Sequence, residues 1–136
     1  MTTQYRMTDI YQLKEHKEYF SNGNLKCHYF TKLGIKDGEY KEWYFDKQLK
    51  ELSHYHNGLL EGSYQYWFVT GQLRIDATYL QGKLLKSLEY YLSGQKYMDY
   101  SYDENQQYHG ICTIWLPNGS IQFQTQYEHG SDTLRS

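Results

Sequence analysis

The chain has 136 residues, with 14 basic and 16 acidic side chains mixed along it and a net charge of −2. This is one domain by length, it has no basic stripe for nucleic acid, and no run of about 18 apolar residues long enough to cross a membrane. Seventeen Tyr against a single Pro favour pleated strands and argue against disorder, which is poor in aromatics.

From the N-terminus, Met1–Glu18 lacks the apolar stretch of a secretory signal, so a cytoplasmic protein is expected. The segment reads as a cap over an exposed sheet edge, with a strand through Ile10, Tyr11, Gln12 and Leu13 or a short helix in its place. The first repeat turns at Asn22-Gly23, pairing Phe20 with Leu25. Gly34 and Gly38 then bound a return turn. In the second repeat Asp46-Lys47 fills the turn, so Lys47 must enter the left-handed region, and Glu42 falls opposite Glu51. Gly58 and Gly62 bound the next return.

The third repeat is the most regular. Tyr64, Tyr66 and Phe68 alternate with Ser63, Gln65 and Trp67; after Thr70-Gly71, Leu73, Ile75 and Ala77 alternate with Arg74 and Asp76. Period-two alternation around a glycine turn predicts a hairpin. With Thr70-Gly71 as a two-residue loop, Phe68 faces Leu73, Tyr66 faces Ile75 and Tyr64 faces Ala77, while Trp67 faces Arg74 on the other side. The fourth repeat carries Leu85-Lys86 in place of a linking glycine, then Tyr90 and Gly94, and loses its spacing between Asp99 and Gln107. The fifth turns at Asn118-Gly119, so Leu116 meets Ile121, Ile114 meets Phe123 and Cys112 meets Thr125. Residues 131–136 form a tail.

Trp43, Trp67 and Trp115 are separated by 24 and 48 positions, with Tyr90 in the vacant slot, and Gly34, Gly58 and Gly82 keep the same interval. A period of this size means stacked supersecondary units. The expected fold is therefore all-β: one elongated antiparallel meander of about five hairpin repeats and roughly ten strands. Residues 1–136 form a single repeat domain, with repeats over about 19–130. Tyr66, Phe68, Leu73, Ile75, Ile114, Leu116, Ile121 and Phe123 are expected to share one buried face. Cys27 and Cys112 lie in the first and last repeats, too far apart for a disulfide in an extended array, and reduced thiols fit a cytosolic chain.

The unit Trp67-Phe-Val-Thr-Gly71-Gln-Leu73, five residues, Tyr79-x-x-Gly82, with the linking segment Gly58-Leu-Leu-Glu-Gly62-x-Tyr64-x-x-Trp67, resembles the variant bacterial form of the MORN (membrane occupation and recognition nexus) repeat. The similarity runs from about Tyr19 to Gly130, and departs from the pattern at Thr31, Lys47 and Leu85-Lys86. It implies an all-β binding platform. Bacterial chains of this variant often resemble antitoxins or immunity proteins, whereas the classical repeat is linked to membrane or cytoskeletal scaffolds.

The candidate contact residues are the row Trp43, Trp67, Tyr90 and Trp115, with Lys50, Arg74, Tyr97 and Gln122 as cross-strand neighbours. These residue types dominate interface hot spots, although a residue recurring in every repeat also serves stacking. The irregular segment with Asp99, Asp103 and Glu104 is the second candidate, because loops on rigid scaffolds carry binding; a solvated linker is the competing reading. His54 and His56 point to one face, but no third ligand is fixed by spacing, and His109 and His129 read as solvated residues beside turn glycines. Glu42 and Glu51 read as a charged stripe. No nucleophile elbow, Rossmann or P-loop signature is present. The expected function is non-enzymatic, without metal or cofactor: a protein-binding antitoxin or immunity protein that occludes a toxin or effector. The alternative is a scaffold or membrane-peripheral adaptor, against which the dispersed Lys and Arg count.

Overall fold

The computed structural model describes residues 11–134. Among these there is no helix, and thirteen antiparallel strands form one sheet. Ten are six or eight residues long: β1 (Lys14–Tyr19), β2 (Leu25–Lys32), β4 (Gly38–Trp43), β5 (Leu49–His56), β7 (Gly62–Trp67), β8 (Leu73–Leu80), β9 (Lys83–Tyr90), β10 (Lys96–Ser101), β11 (Gly110–Trp115) and β12 (Ile121–Glu128). The other three, β3 (Ile35–Lys36), β6 (Leu59–Leu60) and β13 (Ser131–Asp132), are two-residue returns. Strand order follows the chain, as a meander should, with β3 on β2 and β6 on β5. The strand expected at Ile10–Leu13 starts instead at Lys14; Ile10 lies outside the described residues.

The hairpin tips depart from the two-residue loop by one residue. Phe68 N donates to Gln72 O (2.9 Å) and Gly71 N to Phe68 O (2.9 Å), so the loop is Val69-Thr70-Gly71. A three-residue loop of this kind ends in a left-handed residue, here Gly71 at φ +92°, and leaves a bulge in the following strand. The same pair of bonds closes Phe20–Asn24, Tyr44–Gln48, Tyr91–Gln95 and Leu116–Ser120. Lys47 takes the glycine's place at φ +75°. The residue before each left-handed position has an oxygen that accepts the backbone N–H two residues on: Asn22, Asp46, Thr70, Ser93 and Asn118. Short polar side chains of this kind stabilise turns by imitating a backbone acceptor.

The bulge explains which expected pairs hold. Tyr66 faces Ile75, Tyr64 faces Ala77, Ile114 faces Phe123, Cys112 faces Thr125 and Glu42 faces Glu51. Beyond the bulge the register slips. Trp67 faces Leu73 rather than Arg74, Trp43 faces Leu49 rather than Lys50, Tyr90 faces Lys96 rather than Tyr97, and Trp115 faces Ile121 rather than Gln122. Phe20 meets Asn24, and it is Tyr19 that pairs with Leu25.

One face can be followed across ten strands by direct pairing: Glu18, Cys27, Glu42, Glu51, Tyr66, Ile75, Glu89, Met98, Ile114 and Phe123. Two residues along each strand runs a second row in which tyrosines alternate with small residues. Ser53 pairs with Tyr40, Ala77 with Tyr64, and Ser87 with Tyr100. Ser53, Ala77 and Ser87 are buried, because the neighbouring phenol rings lie over them. This is how a single sheet shields apolar surface without a second layer. The core is consequently thin. None of the eight residues expected to be buried is so: six are half-buried, while Leu116 and Ile121 are exposed, the latter 55%. A one-layer sheet has nothing to press on its large side chains, so full burial falls to small ones. Cys27 and Cys112 are buried free thiols on β2 and β11.

Candidate functional site

The tyrosine-clad face runs across many of the described strands. Strand alternation projects every second residue to it, and rings from adjacent strands meet: Tyr29–Tyr40 at 5.9 Å, Tyr40–Tyr55 at 6.0 Å, Tyr64–Tyr79 at 5.6 Å and Tyr108–Tyr127 at 5.2 Å between centroids. Lys36 sits among three of these rings, 4.6 Å from Tyr40, 5.1 Å from Tyr55 and 5.6 Å from Tyr29, so the cluster already holds a cation by the attraction of ring quadrupoles. Burial, reinforced by nearby carboxylates, raises the phenols of Tyr40 and Tyr64 above their ordinary range. These hydroxyls therefore stay protonated and remain donors.

Carboxylates line one margin of the same face. Glu42 accepts from Lys50 Nζ (3.2 Å) and Glu51 from Ser53 Oγ (2.9 Å). Glu89 accepts from Tyr100 Oη (2.8 Å), and Glu18 from Cys27 Sγ (3.1 Å). Burial raises the Glu51 carboxyl, with neighbouring Glu42 adding to it. Burial and the Glu18 carboxylate push the Cys27 thiol up to about 11, so it is an inert thiol, not a nucleophile.

Trp43, Trp67, Tyr90 and Trp115 are half-buried on the opposite face near the hairpin tips. Tyr44 and Tyr91 hydroxyls donate to the backbone carbonyls of Trp67 (2.7 Å) and Trp115 (2.6 Å), tying successive repeats together. Lys96 lies over the Trp115 ring at 5.7 Å. Lys50 goes to Glu42 and the Tyr44 ring, and Arg74 stacks on Phe68 at 5.1 Å. Tyr97 is exposed and packs against Tyr91.

The acidic segment separates into parts. Asp99 is exposed within β10, and Glu104 is exposed in the following turn. Asp103 is only 6% exposed; its Oδ1 accepts the N–H groups of Asn105 (2.9 Å) and Gln107 (3.0 Å), closing a five-residue turn with Gln106 at φ +60°. Its Oδ2 lies 2.7 Å from His129 Nδ1. His109 and His129, read from sequence as separate solvated residues, stack with centroids 4.6 Å apart. They are 20 positions apart, a separation that only the closed register of the last repeats could have signalled. His54 lies 3.9 Å from Glu39 and His56 3.8 Å from Asp37, so the two imidazoles have separate partners.

Among the described residues no helix is long and apolar enough to cross a membrane. No curated protein matches the chain. The family model of the MORN repeat variant matches residues 36–57 and 108–129. Both matches span a whole hairpin tip, from β3 to the turn after β5 and from Tyr108 to the turn after β12. The geometry between them repeats the same turns and bulges. Two hairpins of this array are thus similar to the MORN repeat variant, a repeat type that generally serves as a binding module.

Proposed function

We propose that the protein is a non-enzymatic antitoxin or immunity protein that neutralises a toxin or effector by direct binding through its tyrosine–glutamate face, within a bacterial cytoplasm. The observation that carries this reading is the row Glu18, Glu42, Glu51 and Glu89 beside the phenol rings, on a face that no second layer covers among the described residues. Tyrosine supplies large contact area at low entropic cost. The carboxylates suit a basic partner surface and suppress acidic ones. The row Trp43, Trp67, Tyr90 and Trp115 with Lys50 and Arg74, and the segment Asp99, Asp103 and Glu104, are the competing contact surfaces.

Co-expression with the protein of the neighbouring reading frame tests the function: growth rescue is expected, and its failure rejects the immunity reading for that pair. Binding then separates the surfaces. Glu51→Lys is expected to weaken the complex by about 2 kcal/mol or more with an unchanged circular-dichroism spectrum. Trp67→Ala is expected to lower the melting temperature without a selective loss of affinity. The reverse pattern would move the contact to the tryptophan row.

A further inference from the structure

His109 and His129 occupy repeat positions that hold different chemistry elsewhere. Asp37 and Glu61 precede His109 by 72 and 48 residues, and Asn57 and Gln81 precede His129 by the same intervals. In the regular copies a carboxylate oxygen accepts the backbone N–H of the turn residue: Asp37 Oδ2 from Asn57 N (3.4 Å) and Glu61 Oε2 from Gln81 N (2.6 Å). In the last copy His109 Nδ1 accepts from His129 N at 3.2 Å. The joint between repeats is preserved, but both of its side chains have become imidazoles. A third group is then added from the irregular turn, the buried Asp103 carboxylate. One ligand atom from each of Asp103, His109 and His129 can be chosen so that all lie within 4.8 Å of one another. A cleft of about 450 Å³, lined also by Gln81, Lys83 and Glu104, opens onto them.

We propose that Asp103, His109 and His129 form a binding site for a first-row divalent cation of the zinc type. Two imidazole nitrogens and one carboxylate oxygen are the donor set such ions select, and they leave further positions for water. Magnesium and calcium take all-oxygen surroundings and are disfavoured here. The Asp103 carboxylate is already oriented, because two backbone N–H groups hold its Oδ1. Its Oδ2 lies 2.7 Å from His129 Nδ1, so two of the donor atoms already face each other. The consequence is a staple between the turn after β10 and the turn after β12, at the end of the sheet where the glycine pattern is lost.

The test is calorimetric titration and thermal melting of the untagged full chain with Zn2+, Ni2+ and Mg2+. One equivalent of Zn2+ is expected to bind and, in large excess over its dissociation constant, to raise the melting temperature by about 5 °C or more; Mg2+ should do neither. His129→Gln keeps a donor for Asp103 but removes the ligand. Without metal it should melt only modestly below the parent, and it should lose the zinc shift, as should H109Q/H129Q, while His54→Gln retains it. No binding of Zn2+ or Ni2+ to the parent chain, or an equal shift in H109Q/H129Q, overturns the proposal and leaves the cluster as a hydrogen-bonded joint only.

Discussion

The second and third repeats join each other through a backbone bond braced by one carboxylate, whereas the last two keep the backbone bond and add a cluster of side chains. Leu33-Gly34, Asn57-Gly58 and Gln81-Gly82 all have two successive positive φ values, the geometry that matches a tight turn to the twist of its strands. Gly58 N donates to Lys36 O and Gly82 N to Leu60 O, both at 2.8 Å. The fourth repeat has no such turn: Asp103–Gln107 replaces it with a wider one, closed by the same pair of backbone bonds as the hairpin tips and braced by a buried carboxylate. His129-Gly130 restores the tight form, and Gly130 N reaches Tyr108 O (2.8 Å), but His129 also reaches back to Asp103. A backbone joint works with any side chain that tolerates the turn. A side-chain joint needs particular residues and acquires their chemistry.

The backbone joint should be the more sensitive to bulk. A Cβ at Gly58 would lie 2.8 Å from Ile35 Cγ2, at φ +81°, whereas one at Gly34 meets nothing within 4 Å at φ +78°. Gly34→Ala isolates the cost of the left-handed backbone, about 1–2 kcal/mol. Gly58→Val adds the clash and is expected to lose roughly 2–4 kcal/mol in urea unfolding. Equal losses at the two sites would mean that the approach of Ile35 is slack, and that the regular joint is held by turn geometry alone.

The centre and the C-terminal end should also differ in packing. Ile75 is half-buried between Tyr66 and Glu89, while Ile121 is 55% exposed. Ile75→Ala is expected to cost about 1–2 kcal/mol, short of the value for a closed core. Ile121→Ala should cost about 0.5 kcal/mol or less. Denaturant midpoints with unchanged slopes would check both, and a large loss at Ile121 would reveal a cover on that face.

The meander was legible because its signals are local and repeated. Alternation at Tyr64–Phe68 and Leu73–Ala77, and glycine at Gly71 and Gly119, each specify a hairpin. The loop length was not, since Thr70-Gly71 is compatible with two or three loop residues; the polar residue before each left-handed position fits both. That ambiguity moved Lys50 and Arg74 away from the partners expected for them, without disturbing Tyr66–Ile75. The burial pattern was missed because alternation reports which residues share a face, not whether anything lies against it. The cluster of Asp103, His109 and His129 was invisible for a related reason. Its spacing is set by a register across three strands, and the turn that supplies Asp103 breaks the period that would have placed it.

The smallest expected effect is the pH dependence of the C-terminal joint, and it distinguishes the two joints most cleanly. The hydrogen bond that His129 donates to Asp103, helped by the carboxylates of Glu104 and Glu128, raises His129 above its ordinary value. Backbone N–H groups, Gln107 first, together with His129 lower Asp103. Lys83, which reaches Glu104 O at 3.4 Å from β9, is the cation on the other wall. A raised histidine contributes stability that is complete below its unfolded value, about 6.5, and lost as pH rises through the folded one. A lowered aspartate contributes stability that is complete above about 4 and lost as pH falls through its depressed folded value. The pair is therefore strongest between about pH 4 and 6.5 and weakens on either side. Melting of the parent chain and His129→Gln, with chelator present, should give curves furthest apart in that window and converging above the raised value. His129 is exposed to water, so the separation will be modest. Gln81→Ala, at the equivalent regular joint, keeps the backbone N–H that Glu61 accepts and removes no titrating group, so any shift in melting temperature should be the same at every pH. A flat difference for His129→Gln would mean that its imidazole is held by stacking on His109 and not by the Asp103 charge.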